Sequence, residues 1–101
     1  MQASITKDAG KTVINLSGRF DFNTHREFRN AYEPLVGDAD TQAVVVDFAG
    51  VDYLDSSALG MLLMLRDKLG GVGKEVALTG VCGNVKQVLD IANFGKLFPI
   101  S

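Results

Sequence analysis

Residues 43–48 read Ala-Val-Val-Val-Asp-Phe, and no other stretch limits the fold so much. A short run this rich in β-branched residues predicts a central strand buried on both faces. Such a strand needs helices to cover it, and the flanking sequence supplies them. Phe28, Ala31, Tyr32 and Leu35 recur at i, i+3, i+4 and i+7, one apolar stripe of a helix that Gly37 ends. Asn23 or Thr24 is its expected cap, with Glu27 placed three residues after Thr24 for a capping box. A second helix starts at Ser56-Ser57-Ala58-Leu59-Gly60 and stops near Leu69-Gly70-Gly71. Glu75 to Thr79 reads as a strand, and Asn84 caps a third helix that carries Val85, Val88, Leu89 and Ala92 and ends at Gly95. Leu97 to Ile100 forms a short extended tail. At the front, Ile5 and the segment Thr12–Leu16 make two short strands around the turn Asp8-Ala9-Gly10-Lys11, the second stopping at Ser17-Gly18. The order is β-β-α-β-α-β-α. That predicts an α/β fold: one mixed, mostly parallel sheet with a β-hairpin start and helices packed on it. Strand order is not contained in this pattern.

The 101 residues fit one domain, 1–101, and 47% apolar content is enough for a core. Ten basic and twelve acidic side chains lie scattered along the chain. Without a basic cluster there is no nucleic-acid grip. No run approaches the ~18 apolar residues of a membrane span. The opening Met1-Gln2-Ala3-Ser4-Ile5-Thr6-Lys7 lacks the signal-peptide pattern, so a cytoplasmic location is expected. Cys82 is the only cysteine and is expected to be a buried apolar thiol.

Catalytic chemistry finds little support. His25 is the only histidine, so a zinc site would have to rest on carboxylates. Ser56 lies outside a G-x-S-x-G elbow, and Gly70-Gly71-Val72-Gly73 follows a helix where a phosphate loop must precede one. Asp47 lies near an expected strand end, the position of a phosphorylatable aspartate. The stretch that should hold its acidic pair, however, is Asn15-Leu16-Ser17-Gly18. The chain is therefore expected to be no enzyme and to need no cofactor.

What remains is Val51-Asp52-Tyr53-Leu54-Asp55-Ser56-Ser57-Ala58-Leu59-Gly60. In the plain reading, Asp55 or a serine caps the next helix. The helical wheel adds something. Ala58, Leu62, Leu65 and Leu69 make the inward stripe. Ser56, Gly60, Leu63 and Asp67 then form an outward line flanked by Leu59 and Met64. Either that line is a docking surface or a neighbouring helix covers it. The helix N-terminus also tolerates a phosphate on Ser56, whose ~-2 charge beside Asp52 and Asp55 changes recognition and spares the fold.

At these residues the chain resembles the STAS domain, in particular the stand-alone bacterial anti-sigma factor antagonists. Asp55-Ser56-Ser57-Ala58-Leu59-Gly60 matches their D-S-(S/T)-(G/A)-L-G phosphorylation motif. Leu16-Ser17-Gly18-Arg19-Phe20-Asp21 resembles the turn before their first helix, and Val44-Val45-Val46-Asp47-Phe48 their central strand. Asn93-Phe94-Gly95-Lys96-Leu97-Phe98 resembles their C-terminal ending. The resemblance implies a STAS fold and a partner-switching cycle. The unphosphorylated protein binds a partner that is both serine kinase and anti-sigma factor, phosphorylation of Ser56 releases it, and a PPM-type phosphatase resets the switch. It also implies that Asp21 contacts the kinase, Asp55 positions the serine, Ser57 shapes the loop and Gly60 keeps the approach open. Arg19 departs from the pattern, since an acidic residue is common there. Family members that serve as constitutive subunits, for example of lipid-transport complexes, provide the alternative. In that case Leu63 and Met64 carry the assembly and Ser56 is incidental.

Overall fold

A computed structural model describes all residues, Met1–Ser101. Strand β1 (Gln2–Asp8) turns back into β2 (Lys11–Phe20) through Ala9 and Gly10, with φ of 48° and 83°. Two central residues at positive φ make the twist of this tight turn match that of the strands, and Gly10 adopts it without strain. A single 3₁₀ turn (Phe22–Thr24) leads into α1 (His25–Val36). Then come β3 (Ala43–Leu54), α2 (Ser56–Gly70), β4 (Glu75–Thr79), α3 (Gly83–Ile91) and a second 3₁₀ turn (Phe94–Lys96). The sheet runs in the order β1-β2-β3-β4, antiparallel at β1–β2 and parallel thereafter. The predicted element order and mixed sheet are thus observed.

The central strand departs from expectation. Val44, Val46 and Phe48 are buried, but Ala43, Val45 and Asp47 on the opposite face are only half-buried. The strand order gives the reason. With strands laid down in sequence, right-handed crossovers carry α1 and α2 over the same face. All twenty core side chains accordingly form one cluster on that side, including Ile14, Phe20, Phe28, Val46, Leu62, Leu65, Leu89 and Phe98. Phe20 anchors it, with its ring centroid 4.8 Å from Phe28 and 6.2 Å from Phe48. The other face of the sheet carries Val13, Val45 and Ala77 between polar rows and contains no buried residue.

Several boundaries also moved. β2 does not stop at Ser17-Gly18 but continues to Phe20, because register shifts at Asn15/Ser17 and Gly18/Arg19 absorb the irregularity and keep β3 as its partner. β3 runs on to Leu54, so Asp47 lies within the strand, where its Oδ1 accepts the Ala49 N–H at 2.9 Å. Gly80 makes room for that carboxylate. It has φ +71°, and a Cβ there would sit 2.5 Å from Asp47 Oδ1 and 2.8 Å from Ala49 N. The chain leaves the sheet at this glycine, so Cys82 falls in a connecting loop and is exposed, not buried. Cys82 is also the N-cap position of α3, while Asn84 lies inside the helix and caps nothing. Asn93, in the left-handed conformation at φ 59°, ends the helical stretch where Gly95 was expected to. The tail is not free: Leu78 donates to Pro99 O (2.8 Å) and accepts from Ser101 N–H (3.0 Å), which covers the β4 edge.

Candidate functional site

The C-terminal ends of β2 and β3 lie side by side, with Arg19 opposite Tyr53 and Phe20 opposite Leu54. Each strand then gives way to a helix, so two sets of unpaired N–H groups point to the same end of the sheet. Asp55 satisfies both. Its Oδ1 accepts the N–H of Ala58 (3.0 Å) as the N-cap of α2, and its Oδ2 accepts the N–H of Phe22 (3.3 Å) across to the other connection. The Asp55 N–H in turn donates to Phe20 O (3.3 Å). One carboxylate therefore closes a helix and pins a second loop beside it.

That second loop has its own cap, and it is not the expected one. Asp21 closes a reciprocal box with Thr24: Asp21 Oδ1 accepts from Asn23 N–H (3.0 Å), and Asp21 N–H donates to Thr24 Oγ1 (3.0 Å). Thr24 precedes α1 but makes no side-chain cap bond to it, and Glu27 takes no part. The 3₁₀ turn inserted between Asp21 and α1 moves the capping function three positions earlier. Arg19 Cζ lies over the Tyr53 ring (4.1 Å to the centroid), and its Nε is 3.5 Å from Asp21 Oδ2. Asp21 is thus turned largely into its own loop, with an 18% exposed side chain, and Arg19 is the more exposed of the pair at 62%.

Since Asp55 does the capping, neither serine is needed for it. Ser56 is the first residue of α2 and is exposed; Ser57 is half-buried. The wheel reading of α2 holds: Ala58, Leu62, Leu65 and Leu69 are each 0% exposed. Along the outer side, Gly60 has nothing within 4 Å of a Cβ position, Leu63 is 36% exposed and Met64 is 53% exposed. No neighbouring helix covers Leu63 and Met64. The structure therefore brings Ser56, Gly60, Leu63 and Met64 onto one face and, through Asp55, sets Asp21 and the 3₁₀ turn at the head of that face.

Phe22 is the residue that sequence reasoning missed. It is 65% exposed, its N–H is held by Asp55, and its ring centroid stands 5.7 Å from that of His25, whose Nδ1–H donates to Phe22 O (2.9 Å). The available signal was an aromatic residue in Phe20-Asp21-Phe22-Asn23-Thr24 that fits no core stripe.

This geometry coincides with clear relationships to known proteins. A family model described as "Mlab, STAS domain" matches residues 3–99. The chain belongs to the STAS domain family. A STAS-domain containing protein of Pseudomonas aeruginosa is 45% identical over 94 residues, covering 93% of this chain and 91% of that protein. The anti-sigma F factor antagonist of Paenibacillus polymyxa is 25% identical over 100 residues, covering 99% and 86%. The Bacillus cell fate determinant SpoIIAA in its phosphorylated form superposes with a TM-score of 0.74 at 17% identity, covering 98% of this chain and 90% of that one. This STAS domain therefore has anti-sigma factor antagonists, regulatory binding proteins, among its homologues and the same fold as SpoIIAA. No helix is long and apolar enough to cross a membrane.

Proposed function

We propose that this STAS domain is a phosphorylation-switched antagonist: unmodified, it holds a serine kinase that is also an anti-sigma factor, and phosphate on Ser56 releases that partner. A PPM-type phosphatase resets the cycle. The observation that carries the reading is the division of labour at the head of α2. Asp55 caps the helix, so Ser56 is exposed and can change its charge at no cost to the fold. The α2 N-terminus favours an anion there. At the same time, the added ~-2 charge stands beside the Asp55 carboxylate and at one end of the apolar line. A partner that desolvates Leu63 and Met64 must bury that charge or leave.

Each remaining site residue has a role in this reading. Phe22, Leu63 and Met64 supply apolar contact, and Gly60 lets the partner's backbone approach. Asp55 and Ser57 fix the loop. Asp21 acts mainly by holding the 3₁₀ turn and Arg19 in place. Arg19, placed over Tyr53, presents an exposed guanidinium at the rim, which suits an acidic group on the partner.

The test is to incubate the protein with ATP and a lysate of its own organism and to map phosphate by intact and peptide mass spectrometry. A single phosphate on Ser56, absent from Ser56→Ala, is the expected result. The absence of phosphate under conditions where a partner still co-purifies would sink the switch. It would favour a second reading, a constitutive interaction subunit such as those of lipid-transport complexes, which the exposed Leu63–Met64 face also suits. In that case Leu63→Asp or Met64→Asp abolishes assembly and Ser56 substitutions are silent.

A further inference from the structure

The two edges of the sheet are treated differently. At β4 the tail Pro99–Ser101 occupies the outer hydrogen-bonding groups of Leu78. At β1 nothing does the same. The two-residue hairpin makes Asp8 and Lys11 a hydrogen-bonded pair, so Gln2, Ser4, Thr6 and Asp8 bond inward to β2, while Ala3, Ile5 and Lys7 point their N–H and C=O groups outward. None of these three has a backbone partner beyond the hairpin.

Natural sheets usually blunt such an edge with proline, a bulge, a very short strand or outward lysines. β1 has seven residues, contains no proline and pairs with β2 without a register break. Its one lysine does not guard the edge: Lys7 Nζ is drawn 2.6 Å from Asp38 Oδ2, just beyond α1. Ile5 is left 40% exposed at the margin of the core, beside fully buried Ile14.

We propose that β1 is the contact strand of a two-fold dimer of this chain, pairing antiparallel with β1 of a second copy around Ile5. A two-fold axis perpendicular to the sheet keeps the helices of both copies on one side. It also requires outward-pointing residues to meet outward-pointing ones. Centred on Ile5, that register sets Ile5 against Ile5 of the second copy and Ala3 against Lys7, completing about six backbone hydrogen bonds. Ser4 faces Thr6, and Gln2 faces Asp8. No like charges are opposed, and the two exposed isoleucines cover each other on the core side. The result is a continuous eight-stranded sheet whose two outer edges are the tail-covered β4 strands. The contact is small beside a standard interface, so the dimer forms by a concentration-dependent equilibrium. In the sheet order β1 is separated from β3 and α2 by β2, so the Ser56 face stays open in both copies. The proposal is independent of the switch.

Sedimentation velocity of the purified protein over a wide concentration series tests it, with circular dichroism melts as the folding control. The expected result is a mass that rises from monomer towards dimer for wild type. Ile5→Lys and Ile5→Glu, which place like charges opposite each other at the axis, each stay monomeric, and an equimolar mixture of the two recovers the dimer. Ile91→Lys, at an 83% exposed position elsewhere, behaves as wild type. A wild type that remains monomeric throughout overturns the proposal. So does a dimer that survives both Ile5 variants, and so does a mixture that stays monomeric.

Discussion

The two ends of the β2–β3 pair solve the same problem with the same residue type, and only one is left with something to spare. At the end where β3 begins, Asp38 accepts from Lys7 Nζ (2.6 Å), Thr41 Oγ1 (2.9 Å) and Asp40 N–H (3.0 Å). Lys74 Nζ reaches the carbonyls of Leu35 and Asp38 at the end of α1, and Thr41 shares a hydroxyl contact of 2.8 Å with buried Thr12. Every named polar group at this end has a partner within the fold. At the end where β3 stops, Asp55 takes both the α2 cap and the Phe22 N–H, and Arg19, Phe22 and Ser56 around it are left exposed. The first end is a knot. The second is a scaffold under a surface. A buried or fully engaged polar group stabilises; an exposed one beside a rigid cap is available to a partner.

Four measurements press on this contrast. The largest effect is expected for Ser56→Asp, which should weaken partner binding by about 100-fold, since an unpaired charge in a desolvated contact costs several kcal/mol. Its melting temperature should stay close to wild type. Calorimetric titration against the proposed kinase partner reads the first quantity, and a thermal melt reads the second. Equal affinity would move the functional surface away from α2.

Asp55→Ala comes next. Losing the cap and the bond to Phe22 should destabilise the protein by about 1–2 kcal/mol in urea unfolding. Partner affinity should drop as well, because the Phe22 loop loses its attachment. If stability falls and affinity does not, the loop is no part of the surface.

The knot should reveal itself through pH. The hydrogen bond from Lys7 holds the Asp38 carboxyl down to about 2 from its ordinary 3.8, with the Asp40 N–H and Thr41 hydroxyl adding to it. A depressed carboxyl stabilises above its unfolded pKa and loses that contribution as pH falls through the folded value. Wild type should therefore lose more stability than Asp38→Asn between pH 3.8 and about 2. The same bond raises Lys7 above its ordinary 10.5, so its share persists below that value and fades as pH rises beyond it. Parallel stability curves for wild type and Asp38→Asn would show that the contact does not persist in solution.

The smallest effect is the most pointed. Ser56→Ala should change unfolding free energy by no more than about 0.5 kcal/mol, as for an exposed position outside any cap. A larger loss in urea unfolding would give Ser56 a structural duty and weaken its assignment as the free residue of the site.

Sequence reading succeeded where the governing interactions are local. The apolar stripe of α2 follows from a 3.6-residue period, and Ala58, Leu62, Leu65 and Leu69 are buried as that period requires. The strand Glu75–Thr79 and the hairpin at Ala9-Gly10 follow from local composition in the same way. The Asp55–Gly60 motif was legible as a helix start, whereas whether a neighbouring helix covers the Leu63–Met64 line was left open and the fold leaves both exposed. Errors arose where a distant partner decides. Phe48 and Val46 face a core while Val45 does not, because strand order sends both crossover helices to one side. Ser17-Gly18 looked like a strand end, yet pairing with Gly50 and Val51 carries the strand through it.

By itself, then, the sequence determined the order of elements, the inward side of each helix and the place where Ser56 meets a helix N-terminus. All of these depend on residues within a turn or two of one another. Only the tertiary structure decided which oxygen caps which helix, that the Phe22 N–H is held by Asp55, that Cys82 is exposed and that one sheet edge is covered and the other open. Those outcomes hang on contacts such as Asp55 to Phe22 and Ser101 to Leu78, between residues far apart in the chain. Local periodicity carries no information about which distant groups a folded chain brings together.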